Sequence, residues 1–284
     1  DCLLSRGLGD VYKRQLFAQD YLVSTPNTSL LIKATPGETV KIQYYGSKIE
    51  NSDIQGIYDA GMVFNADSYP AFGLQTMGEK AIAATQPDGN MSLDLKIEQV
   101  KQYPTKDGEV TEILLKDKVY PFEIKQYYKA YQGTDIISTW IEIMNNGKKS
   151  VTLYRFVSAY LPVQRGDNWL THFHGHWGAE NMLEEEKLTN GQKVISNKDG
   201  MVNTETDNPS FMLSIDGKPQ EEYGHILGGT LAWTGNYLLK MDITNTKLNI
   251  IAGINEENSH YKLESKETFK TPEFAMTYST SGKG

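Results

Sequence analysis

The densest run of chemically able side chains is Thr171-His172-Phe173-His174-Gly175-His176-Trp177-Gly178. In an extended backbone alternate residues share a face, so His172, His174 and His176 would project together. Three imidazoles on one face form a ligand set for zinc or copper. The plainer reading is that they hydrogen-bond the backbone or line a polar cleft. Ligands at every second residue of one strand do not readily converge on one ion, and Gly175 makes the backbone pliable. No metal is therefore expected, and the sequence calls for no cofactor. Binding of zinc by this strand would instead point to a metal-dependent hydrolase.

A second segment, Gly228-Gly229-Thr230-Leu231-Ala232-Trp233-Thr234-Gly235-Asn236-Tyr237, is rich in glycine and aromatic residues. It reads as a hairpin turning at Gly235-Asn236, with Leu231 and Trp233 pointing one way and Trp233 filling the core. The run Glu184-Glu185-Glu186 reads as a solvated face. No glycine-rich phosphate loop, no Gly-x-Ser-x-Gly elbow and no cysteine-based zinc pattern occurs.

The elements that must position these residues are strands. Val40, Ile42 and Tyr44 alternate with polar residues, as do Met91, Leu93, Leu95 and Ile97. The same period of two recurs at Phe211, Leu213 and Ile215, then from Tyr237 to Ile243, from Leu248 to Ile254, and at Phe274, Met276 and Tyr278. Such alternation puts one face on a core and the other in water. Asp88-Gly89, Asp107-Gly108, Asn146-Gly147 and Asp216-Gly217 supply tight turns between them. Many short strands with regular turn signals predict an all-β fold, a large antiparallel sandwich over residues 20–280 without internal repeats. Only Ala179 to Leu188, rich in Glu and Leu, suggests a short helical turn.

The chain has 284 residues, 39% hydrophobic and 23% charged, which is globular composition. Its 17 tyrosines and 4 tryptophans suit strands and sugar-binding surfaces. A net charge of −8 repels phosphate backbones, so nucleic acid is not an expected partner. No apolar run is long enough to span a membrane as a helix. Residues 1–15 read like translated adapter sequence from assembled environmental DNA, and they hold the single cysteine, Cys2. They are set aside from fold reasoning. Residues 16–19 resemble the tail of a secretory signal, which predicts a periplasmic or secreted bacterial protein.

The two segments above, in their order, resemble the N-terminal domain of family 36 α-galactosidases. The matching elements are His172-Phe173-x-Gly175-x-Trp177-x-x-Glu180, Leu188-x-x-Gly191 and Ile195-Ser196-x-x-x-Gly200. They continue with Asn208-Pro209-x-Phe211, Glu222-x-Gly224 and Leu231-Ala232-x-x-Gly235-Asn236. Tyr69-Pro70-Ala71-Phe72-Gly73 upstream fits as well, as do Ala252-Gly253-Ile254-Asn255, Phe269-x-Thr271-Pro272-Glu273-Phe274 and Tyr278-Ser279 downstream. Residues Asn203 to Thr206 depart from the family's Ser-Ser-His-Gln run.

The resemblance implies a β-supersandwich of the galactose-mutarotase type that precedes a (β/α)₈ barrel and a C-terminal sheet domain. Residues 281–284 would begin the link to that barrel. A retaining glycosidase needs two carboxyl groups about 5–5.5 Å apart, and in a barrel these sit at strand ends. The family's nucleophile lies in a Lys-Trp-Asp run, which this chain lacks. No catalytic residue is assigned, and the chain by itself is expected to be inactive. What the resemblance does carry over is Trp177, a wall of the sugar subsite, with His174 and Glu180 as neighbours. It further implies an α-galactoside oligosaccharide as ligand, the barrel as intramolecular partner and a homo-oligomer. A free-standing sugar-binding or structural sandwich is the alternative, and reading the gene beyond Gly284 separates the two.

Overall fold

The computed structural model describes residues 19–73, 78–201, 207–257 and 259–284. The adapter-like residues 1–15, most of the signal-like residues 16–19 and the divergent residues 203–206 lie outside the described residues. Among the described residues, twenty strands and one short helix follow one another along the chain. In order they are β1 (Gln19–Ser24), β2 (Thr28–Ala34), β3 (Lys41–Ser47), α1 (Ile54–Asp59), β4 (Ala66–Asp67) and β5 (Ile82–Thr85). Next come β6 (Leu95–Thr105), β7 (Gly108–Asp117), β8 (Phe122–Tyr131), β9 (Ile137–Asn145) and β10 (Val151–Val163). Then follow β11 (Trp169–His176), β12 (Ala179–Lys187), β13 (Gly191–Ser196), β14 (Ser210–Ser214) and β15 (Ile226–Leu231). The last five are β16 (Tyr237–Ile243), β17 (Leu248–Ile254), β18 (Tyr261–Leu263), β19 (Thr268–Lys270) and β20 (Phe274–Ser279). The expected all-β supersandwich is what forms.

Three antiparallel sheets build the molecule. The largest has ten strands in the order β12-β11-β14-β15-β20-β9-β8-β7-β6, with β19 added beside β9. The second has six, β13-β16-β17-β10-β18, with β5 also paired to β10. A four-stranded sheet, β1-β2-β3-β4, completes the set. One continuous apolar core takes Ile124, Ile141, Leu213 and Phe274 from the large sheet. It takes Leu153, Leu161, Leu239 and Ile250 from the second, and Leu30, Ile32 and Ile42 from the third. β16 reads as alternating in sequence, yet Leu238 and Lys240 are buried as well as Tyr237, Leu239 and Met241. A strand this deep in a sandwich is covered on both faces.

Several sequence expectations needed correction. Residues Ala179 to Lys187 form strand β12 and not a helical turn, because they pair along their length with β11. Met91 is exposed and precedes β6, so only Leu93, Leu95 and Ile97 of that run reach the core. In β3 a register shift breaks the alternation, so that Gln43 is buried and Tyr44 only half-buried. Three of the four predicted turns fall between strands, and the fourth, Asp107-Gly108, runs into the first residue of β7.

Side-chain amides and carboxylates bind the sheets to one another. Asp135, between β8 and β9, accepts hydrogen bonds from Thr25 Oγ1 at 2.9 Å, Asn27 N at 2.8 Å and Asn27 Nδ2 at 2.7 Å. That clamps the β1–β2 turn onto the large sheet. Across the second sheet, Glu79 accepts from Gln192 Nε2 at 2.7 Å, lies 3.4 Å from Lys240 Nζ and pairs with Arg155. Arg155 also pairs with Glu256. Burial pushes the Glu79 carboxyl up, but hydrogen bonds from Gln192 and Arg155 and the nearby positive charges bring it below its ordinary value. Among the described residues no helix is long and apolar enough to cross a membrane.

Candidate functional site

One end of the large sheet carries both segments singled out by the sequence. β11 pairs with β14 at His172↔Phe211, and β14 with β15 at Phe211↔Gly229. β11 and β15 therefore run in the same direction. Residues beyond His172 and residues beyond Gly229 leave the sheet at the same end. There the β11–β12 hairpin turns at Trp177-Gly178, flanked by the pair His176↔Ala179. Gly178 has φ +77°, a left-handed conformation in which a glycine is unstrained. Trp177 at the tip is 84% exposed. Such exposure is exceptional for an indole in a folded domain, and it leaves the ring open to a ligand.

The hairpin is not regular. His174 faces Met182, whereas His176 faces Ala179, so β12 holds one residue more than β11 in this interval. Asn181 takes φ +54°, which an asparagine accepts more readily than most residues. The bulge gives the hairpin extra twist and ends the imidazole row after two members. His172 and His174 remain neighbours, with ring centroids 6.4 Å apart. His176 turns away, its Nδ1 3.0 Å from the carbonyl of Trp177. The three histidines thus do not form one ligand set. His174 and Glu180 are exposed on the hairpin near Trp177.

Trp233 is not in the core. It is 40% exposed, and its indole lies against Gly235, where an added Cβ would come within 2.8 Å of Nε1. The loop around it is held by polar contacts: Asn236 Oδ1 accepts from Gly200 N at 2.7 Å, and Tyr237 Oη donates to the carbonyl of Asp207. Asn208 N donates to Phe173 O at 2.9 Å, tying the segment that leads into β14 to β11. Two indoles, with Met201 exposed nearby in the chain segment bonded to Asn236, therefore decorate a rigidly braced rim.

Below the rim lies a polar nest that sequence reading did not find. His172 is buried, with its Nε2 3.3 Å from Glu186 Oε1 and 3.9 Å from Glu184 Oε2. Its Nδ1 lies 3.9 Å from Asp207 Oδ1. Glu184 Oε2 also lies 3.5 Å from His174 Nδ1, and Glu186 Oε1 lies 2.5 Å from Lys193 Nζ. The run Glu184-Glu185-Glu186 is therefore not a uniform solvated face. Glu184 and Glu186 face the histidines, and Glu185 turns to the other side to meet Lys283 at 2.5 Å. Reading β12 as a strand would have revealed that alternation.

A recess of about 990 Å³ lies elsewhere, lined by Tyr44, Phe64, Arg165, Asp216, His225 and Tyr278 among others. His225 Nδ1 lies 2.9 Å from Asp216 Oδ2. Burial pushes Asp216 up, but the hydrogen bonds from His225 hold its carboxyl below the usual range. Burial, with Tyr44 and Asp216 adding to it, pushes the Tyr278 hydroxyl up to about 12. No sequence signal pointed to this recess, because its residues come from separate parts of the chain.

A family model for the glycosyl hydrolase family 36 N-terminal domain matches residues 38–264, and this chain belongs to that family. Alpha-galactosidase Mel36A of Lactobacillus acidophilus is 27% identical over 287 residues, covering 89% of this chain and 39% of the relative. Alpha-galactosidase AgaA of Geobacillus stearothermophilus is 25% identical over 230 residues, covering 75% of this chain and 31% of the relative. The crystal structure of AgaA superposes with a TM-score of 0.84 at 21% identity, over 93% of this chain and 41% of AgaA. Variants of AgaA have been solved with raffinose and with stachyose. The chain thus spans between about a third and two fifths of the length of these relatives.

Proposed function

We propose that this chain is the substrate-pocket-completing module of an α-galactosidase that removes terminal α-linked galactose from oligosaccharides. Family membership supports the reaction, and the relatives bound to raffinose and stachyose support the substrate class. The single observation that carries the local reading is the 84% exposure of Trp177 at the hairpin tip. An exposed indole offers a flat, electron-rich face to the C–H face of galactose, whose hydroxyls then turn to polar neighbours. His174 and Glu180 are those neighbours in this proposal. The catalytic carboxylates belong to a barrel that follows the sandwich, and the module also serves oligomer contacts. A periplasmic or secreted location completes the reading.

Kinetics of the barrel-containing enzyme test it. Trp177→Ala is expected to lower kcat/KM for raffinose about tenfold, a loss of ~1.4 kcal/mol of transition-state stabilisation. Unchanged kcat/KM would overturn the assignment of Trp177. The present chain by itself is expected to leave an aryl α-galactoside intact, and turnover by it would overturn the assignment of catalysis to the barrel.

A further inference from the structure

The nest around His172 has the arrangement of a metal site, with a ligand set different from the row of three histidines. A buried imidazole normally satisfies its nitrogens by hydrogen bonds. His172 is 3% exposed, and neither of its nitrogens makes one. Both are instead flanked by carboxylates that approach without hydrogen-bond alignment. On the Nε2 side, one ligand atom each from His172, Glu184 and Glu186 lies within 4.8 Å of the others. A tetrahedral ion with bonds of ~2.0–2.1 Å needs ligand atoms ~3.3 Å apart. The His172–Glu186 contact, 3.3 Å, has that spacing already, and the His172–Glu184 contact is 3.9 Å. Glu184 is half-exposed, so a small side-chain rotation closes the difference.

The far side of the ring strengthens the argument. Nδ1 faces Asp207 at 3.9 Å. Ligating histidines commonly present their second nitrogen to a carboxylate, which fixes the tautomer and raises the basicity of the ligating nitrogen. His174, 3.5 Å from Glu184, orients that carboxylate from the other flank. Lys193 is the opposing charge: it sits on Glu186 Oε1 and must yield that oxygen to a cation.

We propose that His172, Glu184 and Glu186 bind one divalent transition-metal ion of the zinc type, with solvent in the remaining position. Imidazole with two carboxylates suits zinc and related ions, whereas magnesium and calcium prefer all-oxygen sites. The ion's place in the fold gives it a structural part. Glu184 and Glu186 lie on the edge strand β12 and His172 on β11, so the ion clips the edge strand to its neighbour at the root of the Trp177 hairpin. The inference stands on the nest alone and holds whether or not Trp177 touches sugar.

The test uses the whole chain without a histidine tag, freed of metal by chelation and titrated with zinc chloride. One equivalent is expected to bind at micromolar concentration or tighter, and to raise the thermal midpoint. Glu186→Gln and His172→Gln should each weaken binding by about tenfold or more. Lys193→Met should tighten it, because it removes the competing charge. His176→Ala, outside the nest, should leave it unchanged. Glu186→Gln preserves shape at a partly exposed position, so circular dichroism of the metal-free variant separates loss of binding from loss of fold. Cobalt absorption supplies an independent view of the ligands. No zinc binding below about 1 mM would overturn the proposal. So would binding that survives both Gln variants, or binding that is lost with His176.

Discussion

Trp177 and Trp233 sit at the same end of the sheet in different surroundings. Trp233 rests on Gly235 and belongs partly to its loop, whereas Trp177 stands clear of the domain. Removal of so exposed a ring should cost the fold less than about 0.5 kcal/mol. Trp177→Ala is therefore expected to leave the thermal midpoint of the domain unchanged while sugar use falls, and calorimetry beside kinetics reads the two separately. At this scale much of the site was legible. The motif around Trp177 was visible as a run of residues. The hairpin expected to turn at Gly235-Asn236 does not form, because β15 pairs with β14 and β20 in the large sheet whereas β16 pairs with β13 and β17 in the second. The direction in which Trp233 points was not visible, since alternation beyond Leu231 stops where the strand does. His172's partners were hidden as well. Asp207 lies 35 positions away, and Glu184 and Glu186 become partners only once the hairpin folds back.

At the scale of elements, the large sheet depends on close approach of its inner strands. Gly229 on β15 sits between Phe211 on β14 and Phe274 on β20, and a Cβ there would lie 2.7 Å from both rings. The two rings stack with centroids 6.4 Å apart and an interplanar angle of 18°. Gly229→Ala is expected to destabilise the domain by about 1–3 kcal/mol, because neither ring can retreat into a packed core. Urea unfolding measures it, and an unchanged midpoint would show that the rings yield. Period-two patterning located β14 and β20 because each buries alternate residues, and it located β16 and β17 as well although both faces of those two strands are largely buried. It failed for Ala179 to Lys187. There Met182 and Leu183 are both exposed on an edge strand, and a chain with no buried face leaves no pattern to read.

At the scale of the whole molecule, charge networks join the strands of the second sheet. The carboxyl of Glu79 is lower in the folded chain than in the unfolded one. Its contribution to stability is therefore present above the ordinary glutamate value of about 4.3 and fades as pH falls through the folded value. The thermal midpoint is expected to drop with acidification in that window. Glu79→Gln should make the drop shallower and lower the plateau at neutral pH. A pH series of melting curves checks both, and an unaltered slope would remove Glu79 from the cause. The class of fold was legible at this scale from strand alternation and turn spacing together. The division into three sheets was not, because strand order rests on pairings between distant segments.

Strand β10 has a consequence for how the protein comes into being. Its residues 151–153 pair with residues 261–263 and its residues 157–163 with residues 248–253. A ribosome that has delivered β10 has still to make about a hundred residues before those partners exist. Until then the nascent chain carries an apolar strand with an empty side, a natural client for a chaperone. Chains released before Leu248 are expected to accumulate in the insoluble fraction, and chains that include Leu263 to become protease-resistant. Stalled translation intermediates probed by brief proteolysis would locate that step, and protection appearing before residue 248 would contradict it.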